Sequence, residues 1–251
     1  MNVARLFRRP IGPAMLCLAG LGLMVSIPGL GAGELRGTVI DVQVGEAVAA
    51  RVYIEGADGM FHHARVIGAE GEAIPYEKKR SETVVEMHTC VSAHPFTAML
   101  PAGEYTITVE RGKEYFPAEA KVTIGEDPVK IQIPLQRRIA MGERGWFSGD
   151  THVHRTVAEL PTVLMAEDLN VALPLTAWVT DTAHTPLANN RSPIRVPPAR
   201  LIEVDDTHVI WPVNTEYEIF TVAGERHPLG AVFVLHLSLI HISEPTRPPL
   251  L

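Results

Sequence analysis

Cysteine is almost missing from this chain: Cys17 and Cys90 are the two in 251 residues. Cys17 lies in an apolar, leader-like stretch, and no lipobox precedes it, so lipid attachment there is not indicated. Past that stretch Cys90 stands alone, which excludes an internal disulfide even in an oxidising compartment. Lys/Arg-rich runs are lacking after the first ten residues, and the formal net charge is −7. A nucleic-acid partner is therefore not expected. The glycine-rich stretches follow no phosphate-loop spacing, and no Ser/His/Asp grouping offers a nucleophile. Helical periodicity is absent from residue 34 to about residue 137.

What is present begins with an apolar content of 46%, enough to bury a core in one or two domains. Arg5, Arg8 and Arg9 precede "IGPAMLCLAGLGLMVSIPGL", and small residues follow in "GLGAGE". Basic, apolar and small segments in that order read as a secretory signal peptide over residues 1–33, cut after Ala32 or Gly33. An uncleaved membrane anchor is the alternative, disfavoured by the glycines and prolines that interrupt a short run. The expected location is periplasmic or extracellular, with no stable membrane insertion after cleavage. At the other end, "LSLIHISEPTR" is the translation, in one reading frame, of a widely used transposon-type sequencing adapter. Residues 237–251 are accordingly read as a non-native tail, and native sequence as stopping at His236 within a truncated frame.

Between the ends two textures alternate. "ELRGTVIDV", "AARVYIEG", "TVVEMHT", "FTAMLP", "EYTITVER", "AKVTIG" and "VKIQIPL" read as short strands separated by turns. Tyr105, Ile107 and Val109 alternate with Thr106, Thr108 and Glu110, as a strand with one buried face requires. That spacing predicts a β-sandwich over residues 34–137. With "LPAGEYTITVERGKEY" as its turn and strand, this part resembles carboxypeptidase-regulatory-like, transthyretin-like domains. From residue 138 to 236 the apolar runs "VALPLTAWVT" and "GAVFVL" are continuous, as in strands buried on both faces. "VAELPTVLMAEDLN" between two of them spaces its leucines for a helix, which begins an α/β unit. "NNRSPIRVPPAR" is a Pro-rich loop.

The chemistry concentrates in that second half. "WFSGDTHVHR" sets His152 and His154 two apart at a strand end, where both imidazoles can hold a metal. Ligands at the ends of successive strands converge in space from distant positions. Asp181 in "AWVTD", Glu216 in "NTEYEI" and His227 in "GERHPLG" are the other candidates. Glu218 competes with Glu216, and Asp181 is open to a plain turn role. Asp150 is placed to orient an imidazole rather than to ligate. Asp205, Asp206 and His208 read as an acidic turn, and His88, Cys90 and His94 as an incidental cluster. Imidazole with carboxylate suits zinc, manganese or iron, and a carboxylate bridging two ions would generate a metal-bound hydroxide.

"SGDTHVH", "AEDLNVALPLTAWVTD" and "NTEYEIFTVAGERHPLGAVFVL" resemble the CehA/McbA branch of the PHP (polymerase and histidinol phosphatase) metallohydrolases. The resemblance covers residues 146–236. It implies the N-terminal part of an α/β (β/α)7 barrel, a site of two metals or more, and His152, His154, Asp181, Glu216 and His227 as ligands. Where the superfamily has Thr-Asp-His, this chain has "TDT", with His184 displaced by two. The implied function is an exported hydrolase acting through metal-activated water on an ester, carbamate or phosphoester of a small molecule, with no catalytic side chain beyond the ligands. The truncated chain itself is expected to be inactive, with a protease-resistant core near residues 34–137. The alternative is a non-catalytic secreted binding protein with a β-sandwich module and a degenerate metal site.

Overall fold

The computed structural model describes residues 31–68, 71–81, 84–181, 184, 196–226 and 230–238. Its first half consists of β1 (Ala32–Asp41), β2 (Ala50–Gly56), β3 (Phe61–His62), β4 (Arg65–Val66), β5 (Ala73–Ser81), β6 (Val84–Val91), β7 (Phe96–Pro101), β8 (Gly103–Glu110), β9 (Ala118–Ile124) and β10 (Val129–Leu135). One sheet runs β10-β1-β7-β4, with β1 and β10 parallel. The second runs β5-β6-β2-β8-β9, with β3 added to β2.

The period-2 alternation of these strands explains the packing. Leu35 and Val39 of β1, Val52 and Ile54 of β2, Phe96 and Leu100 of β7, and Ile107 and Val109 of β8 bury their side chains in one shared core. Two sheets that each turn an apolar face inward form a sandwich. Gly37 on β1 is required by that core: a Cβ there would stand 2.1 Å from Cζ of Phe96 on the neighbouring β7.

Past a 3-10 turn at Gly142–Arg144 come β11 (Gly149–Val153), α1 (Leu160–Glu167), β12 (Val171–Asp181), β13 (Ile202–Glu203), β14 (Val209–Ile210), β15 (Asn214–Val222), β16 (Glu225–Arg226) and β17 (Ala231–Val234). β12 is the centre of a third sheet and runs parallel to β11, β14 and β15. The pairs β13–β14, β15–β16 and β15–β17 are antiparallel.

This arrangement corrects the expectation of a (β/α)7 barrel. Such a barrel is built of parallel strands, each followed by a helix. Here β11, α1 and β12 make one parallel crossover, but among the described residues no further α-helix follows. β14 and β15 also lie parallel to β12, but β13, β16 and β17 turn back antiparallel on them, giving a mixed sheet. The apolar run "VALPLTAWVT" is continuous because β12 is paired along both edges and packed on both faces, which central position in an open sheet also demands.

Helix α1 is the joint between the layers. Pro161 opens it, where a missing N–H costs nothing. Leu160 and Leu164, four apart, pack on Ala172 and Ile210 of the third sheet. Ala166 lies on the other side, against Ala49 and Cys90 of the sandwich. Thr162, four residues before it, is buried too and donates to Glu72 Oε2 at 3.4 Å. Spacings of four on opposite faces therefore bury the helix between two sheets.

Its C-terminal end is gripped by charge. Asp168 caps the helix in the left-handed region at φ 51, where its N–H reaches the carbonyls of Leu164 and Met165. Arg111 reaches Asp168 Oδ1 at 2.8 Å and also donates to the carbonyls of Met165 and Ala49. Arg137 reaches Asp168 Oδ2 at 3.1 Å and Glu114 Oε2 at 2.6 Å. Arg51 of β2 forms an ion pair with Glu167. Three cations of the sandwich thus meet the negative end of a helix dipole and the two carboxylates beside it. Gly112, at φ +52, lets the chain pass beneath: a Cβ there would meet the Glu167 carbonyl oxygen at 2.4 Å.

The network continues inward. Arg137 Nη2 donates to the Tyr115 hydroxyl at 2.8 Å, which donates to Asp41 Oδ2 at 2.7 Å. Burial pushes the Asp41 carboxyl up, but the Tyr115 hydroxyl, the amides of Gln43 and Val44 and the Arg137 charge outweigh it, so the group sits below its usual range. A depressed carboxyl contributes stability that is complete above its unfolded value of about 3.9 and is lost as pH falls through the lower folded value. Asp41→Asn should therefore flatten the acid limb of the stability curve below about pH 4. An acid limb of unchanged slope in the variant would refute that assignment.

Candidate metal centre

The third sheet brings three of the candidate ligands together. His152 lies in β11 and His154 just beyond it, so both rings leave the same side of the strand. Glu216 lies in β15, opposite Trp178 of β12 and Phe233 of β17 in the ladder. Its entry is fixed by Asn214, fully buried, whose side-chain amide donates to the carbonyls of Pro174 at 2.9 Å and Trp211 at 2.8 Å. The same side chain accepts the His236 amide at 2.8 Å, so no group at this break in the ladder is left unpaired by it.

The ligand atoms of His152, His154 and Glu216 lie within 4.8 Å of one another. The two Nε2 atoms are 3.1 Å apart, and they stand 3.8 and 3.2 Å from the two Glu216 carboxylate oxygens. The imidazoles are about half exposed, at 51% and 47%, whereas the carboxylate is 6% exposed. Glu216 Oε2 is buried without a hydrogen bond. A buried anionic oxygen in that condition is costly unless a cation or proton donor completes it. Phe233 and Trp178 wall the rings, with centroids 4.5 Å from His152 and 5.5 Å from His154. Two imidazoles and a carboxylate are the donor set of zinc, manganese or iron, and they fit such an ion here.

The remaining candidates are placed differently. Glu218 accepts the Trp178 indole N–H at 3.1 Å. Asp150 accepts the backbone amide of His152 at 2.8 Å, closing a short turn that orients the strand end rather than a ring. Asp181 ends β12, paired in register with Thr221, and is not among the atoms that gather at His152, His154 and Glu216. His184 is exposed, and its carbonyl accepts the Tyr217 hydroxyl at 2.9 Å. His227 lies outside the described residues. Asp205 closes a turn by accepting the amides of Thr207 and His208 and the His208 imidazole, all within 2.9 Å.

A second gathering was not legible in the sequence. His88 and Cys90 of β6 meet Glu167 of α1, again within 4.8 Å. The spacing of the first two is visible, but the third ligand arrives from a helix 77 residues on, and no local pattern announces it.

No family model matches the chain, and no curated protein matches it. Among solved structures it is similar to a DUF3823 family protein from Parabacteroides merdae ATCC 43184, at 13% identity and TM-score 0.26, over 43% of this chain and 47% of that one. It is also similar to the group B streptococcus pilus 2b backbone protein, at 15% identity and TM-score 0.29, over 42% of this chain and 41% of that one. A third is the C-terminal domain of the shaft pilin spaA from Lactobacillus rhamnosus GG, at 13% identity and TM-score 0.26, over 41% and 97%. The chain spans under half the length of the first two.

These findings correct the family expectation. Neither the carboxypeptidase-regulatory-like nor the CehA/McbA resemblance is matched by a family model. With no (β/α)7 barrel among the described residues, the polymerase and histidinol phosphatase assignment falls. The hydrolase reading loses the family and barrel on which it rested. No helix among the described residues is long and apolar enough to cross a membrane.

Proposed function

We propose that this chain is an exported, non-catalytic β-sandwich protein whose third sheet binds one divalent transition metal ion. The observation that carries it is the convergence of His152, His154 and Glu216, with a buried carboxylate oxygen that makes no hydrogen bond among the described residues and stands 3.2 Å from His154 Nε2. Imidazole nitrogen and carboxylate oxygen are borderline-to-hard donors, which selects zinc, manganese or iron over calcium or copper(I). The open side left by two half-exposed rings admits an ion and its water without moving the sheet. Export rests on the leader pattern of residues 1–33.

Titration of the purified chain with zinc, manganese and iron(II) by calorimetry provides the test. One equivalent of at least one ion should bind at His152, His154 and Glu216. His152→Ala and Glu216→Gln should each weaken it by more than about tenfold, since even outer partners of metal ligands cost 10–100-fold. Equal binding by the wild type and both variants, or none by the wild type, would falsify the proposal.

A further inference from the structure

We propose that His88, Cys90 and Glu167 form a second, separate site for a zinc-class cation at the joint between α1 and the sandwich. β6 carries His88 and Cys90 two apart, so both side chains leave one face of the strand. That face meets α1, where Ala166 packs on Cys90 and Glu167 follows it in the last turn. Imidazole, thiol and carboxylate then stand within 4.8 Å of one another.

The three groups are prepared for a cation in different ways. His88 is 4% exposed and held between aromatic rings, stacked on Tyr76 at 4.9 Å and tilted to Tyr53 at 5.2 Å. Its Nδ1 is buried and makes no hydrogen bond, the nearest carboxylate oxygen, Glu86 Oε1, standing at 3.5 Å. Burial, with the Arg51 and Arg155 charges next, pushes the His88 imidazole down to about 4. Glu167 Oε1 accepts from Arg51 Nε and Nη2, which leaves Oε2 to a second partner. Cys90 is buried beside Ala166 of α1. Sulfur ligates as the thiolate, so metal binding would exchange the Sγ proton for the ion, the proton leaving to solvent.

Access exists without opening the fold. A cavity of about 330 Å³ is lined by His88, Cys90, Glu167 and Arg155, and by His152 and His154. It leaves room for a water as fourth ligand beside nitrogen, sulfur and oxygen, the four-coordination that zinc prefers. Thiolate and carboxylate together would bring two negative charges to a divalent ion, beside the Arg51 and Arg155 cations.

Cadmium(II) is the probe, because its thiolate complex has a charge-transfer absorption that histidine and carboxylate alone do not produce. The full reduced chain would carry Cys17→Ser in every sample, leaving Cys90 as the sole thiol. One equivalent should raise the band and protect Cys90 from alkylation. Cys90→Ser should abolish the band, and His88→Ala and Glu167→Gln should each weaken binding by about tenfold or more. His152→Ala with His154→Ala should leave the band intact, which separates this site from the one on the third sheet. A wild-type chain with no band and no protection, or a band of unchanged affinity in both His88→Ala and Glu167→Gln, overturns the proposal.

Discussion

Asp168→Ala is expected to lower the unfolding free energy by about 3–5 kcal/mol, the range for removing one partner of a buried ion pair. The Asp168 side chain is 11% exposed and lies between the guanidinium groups of Arg111 and Arg137. Removing it leaves two cations in a largely dry layer, with Arg111 itself 10% exposed. Position 168 also holds a left-handed backbone, which alanine tolerates poorly and asparagine well. Asp168→Asn therefore isolates the charge: it keeps the cap and an acceptor oxygen, and its loss should be smaller than that of the alanine variant. Urea unfolding of the three chains measures both differences. Limited proteolysis locates the damage, which should fall on residues 146–238 while the sandwich survives. A loss under about 1 kcal/mol for alanine would mean that the pairs are solvated and contribute as surface bridges do.

The legible parts of this fold were those in which local pattern and tertiary role agree. Tyr105, Ile107 and Val109 face the core in strict alternation, and the core uses them that way. "LPTVLMAE" is helical, with Leu160 and Leu164 on one face. The barrel expectation failed at a point where sequence is ambiguous: a continuous apolar run is equally suited to any strand buried on both faces. β12 is such a strand, but beyond its parallel neighbour β15 the strands β16 and β17 return antiparallel on β15, and hairpin or crossover is decided by the loops between strands.

The site shows the same division. His152 and His154 announce themselves by spacing, and Glu216 joins them because β15 lies beside β12 in register. Glu218, two residues on, could have replaced it on pattern alone. The Trp178 indole, a tertiary neighbour, is what engages Glu218. The arginine grip on α1 was invisible for a plainer reason. Arg51, Arg111 and Arg137 are scattered singly through the sandwich, and only the docked helix gives them a common target.

Phe96→Ala is expected to cost about 3–5 kcal/mol, and its interaction with Gly37 makes the prediction specific. Phe96 is fully buried and lies over β1, where Gly37 is its directly paired neighbour across the antiparallel ladder. The ring occupies the volume a side chain at 37 would need: a Cβ there would lie 2.1, 2.4 and 2.7 Å from three ring carbons. Gly37→Ala in the wild-type background should therefore destabilise by about 1–3 kcal/mol through overpacking. In the Phe96→Ala background the obstruction is gone, and the added methyl partly fills the cavity that the missing ring leaves. There Gly37→Ala should be neutral or stabilising, so the two changes must be strongly non-additive. Urea midpoints and slopes for the four chains give the coupling energy directly. Additivity within about 0.5 kcal/mol would show that the strand shifts to accept the methyl, and that the ring does not hold Gly37 in place.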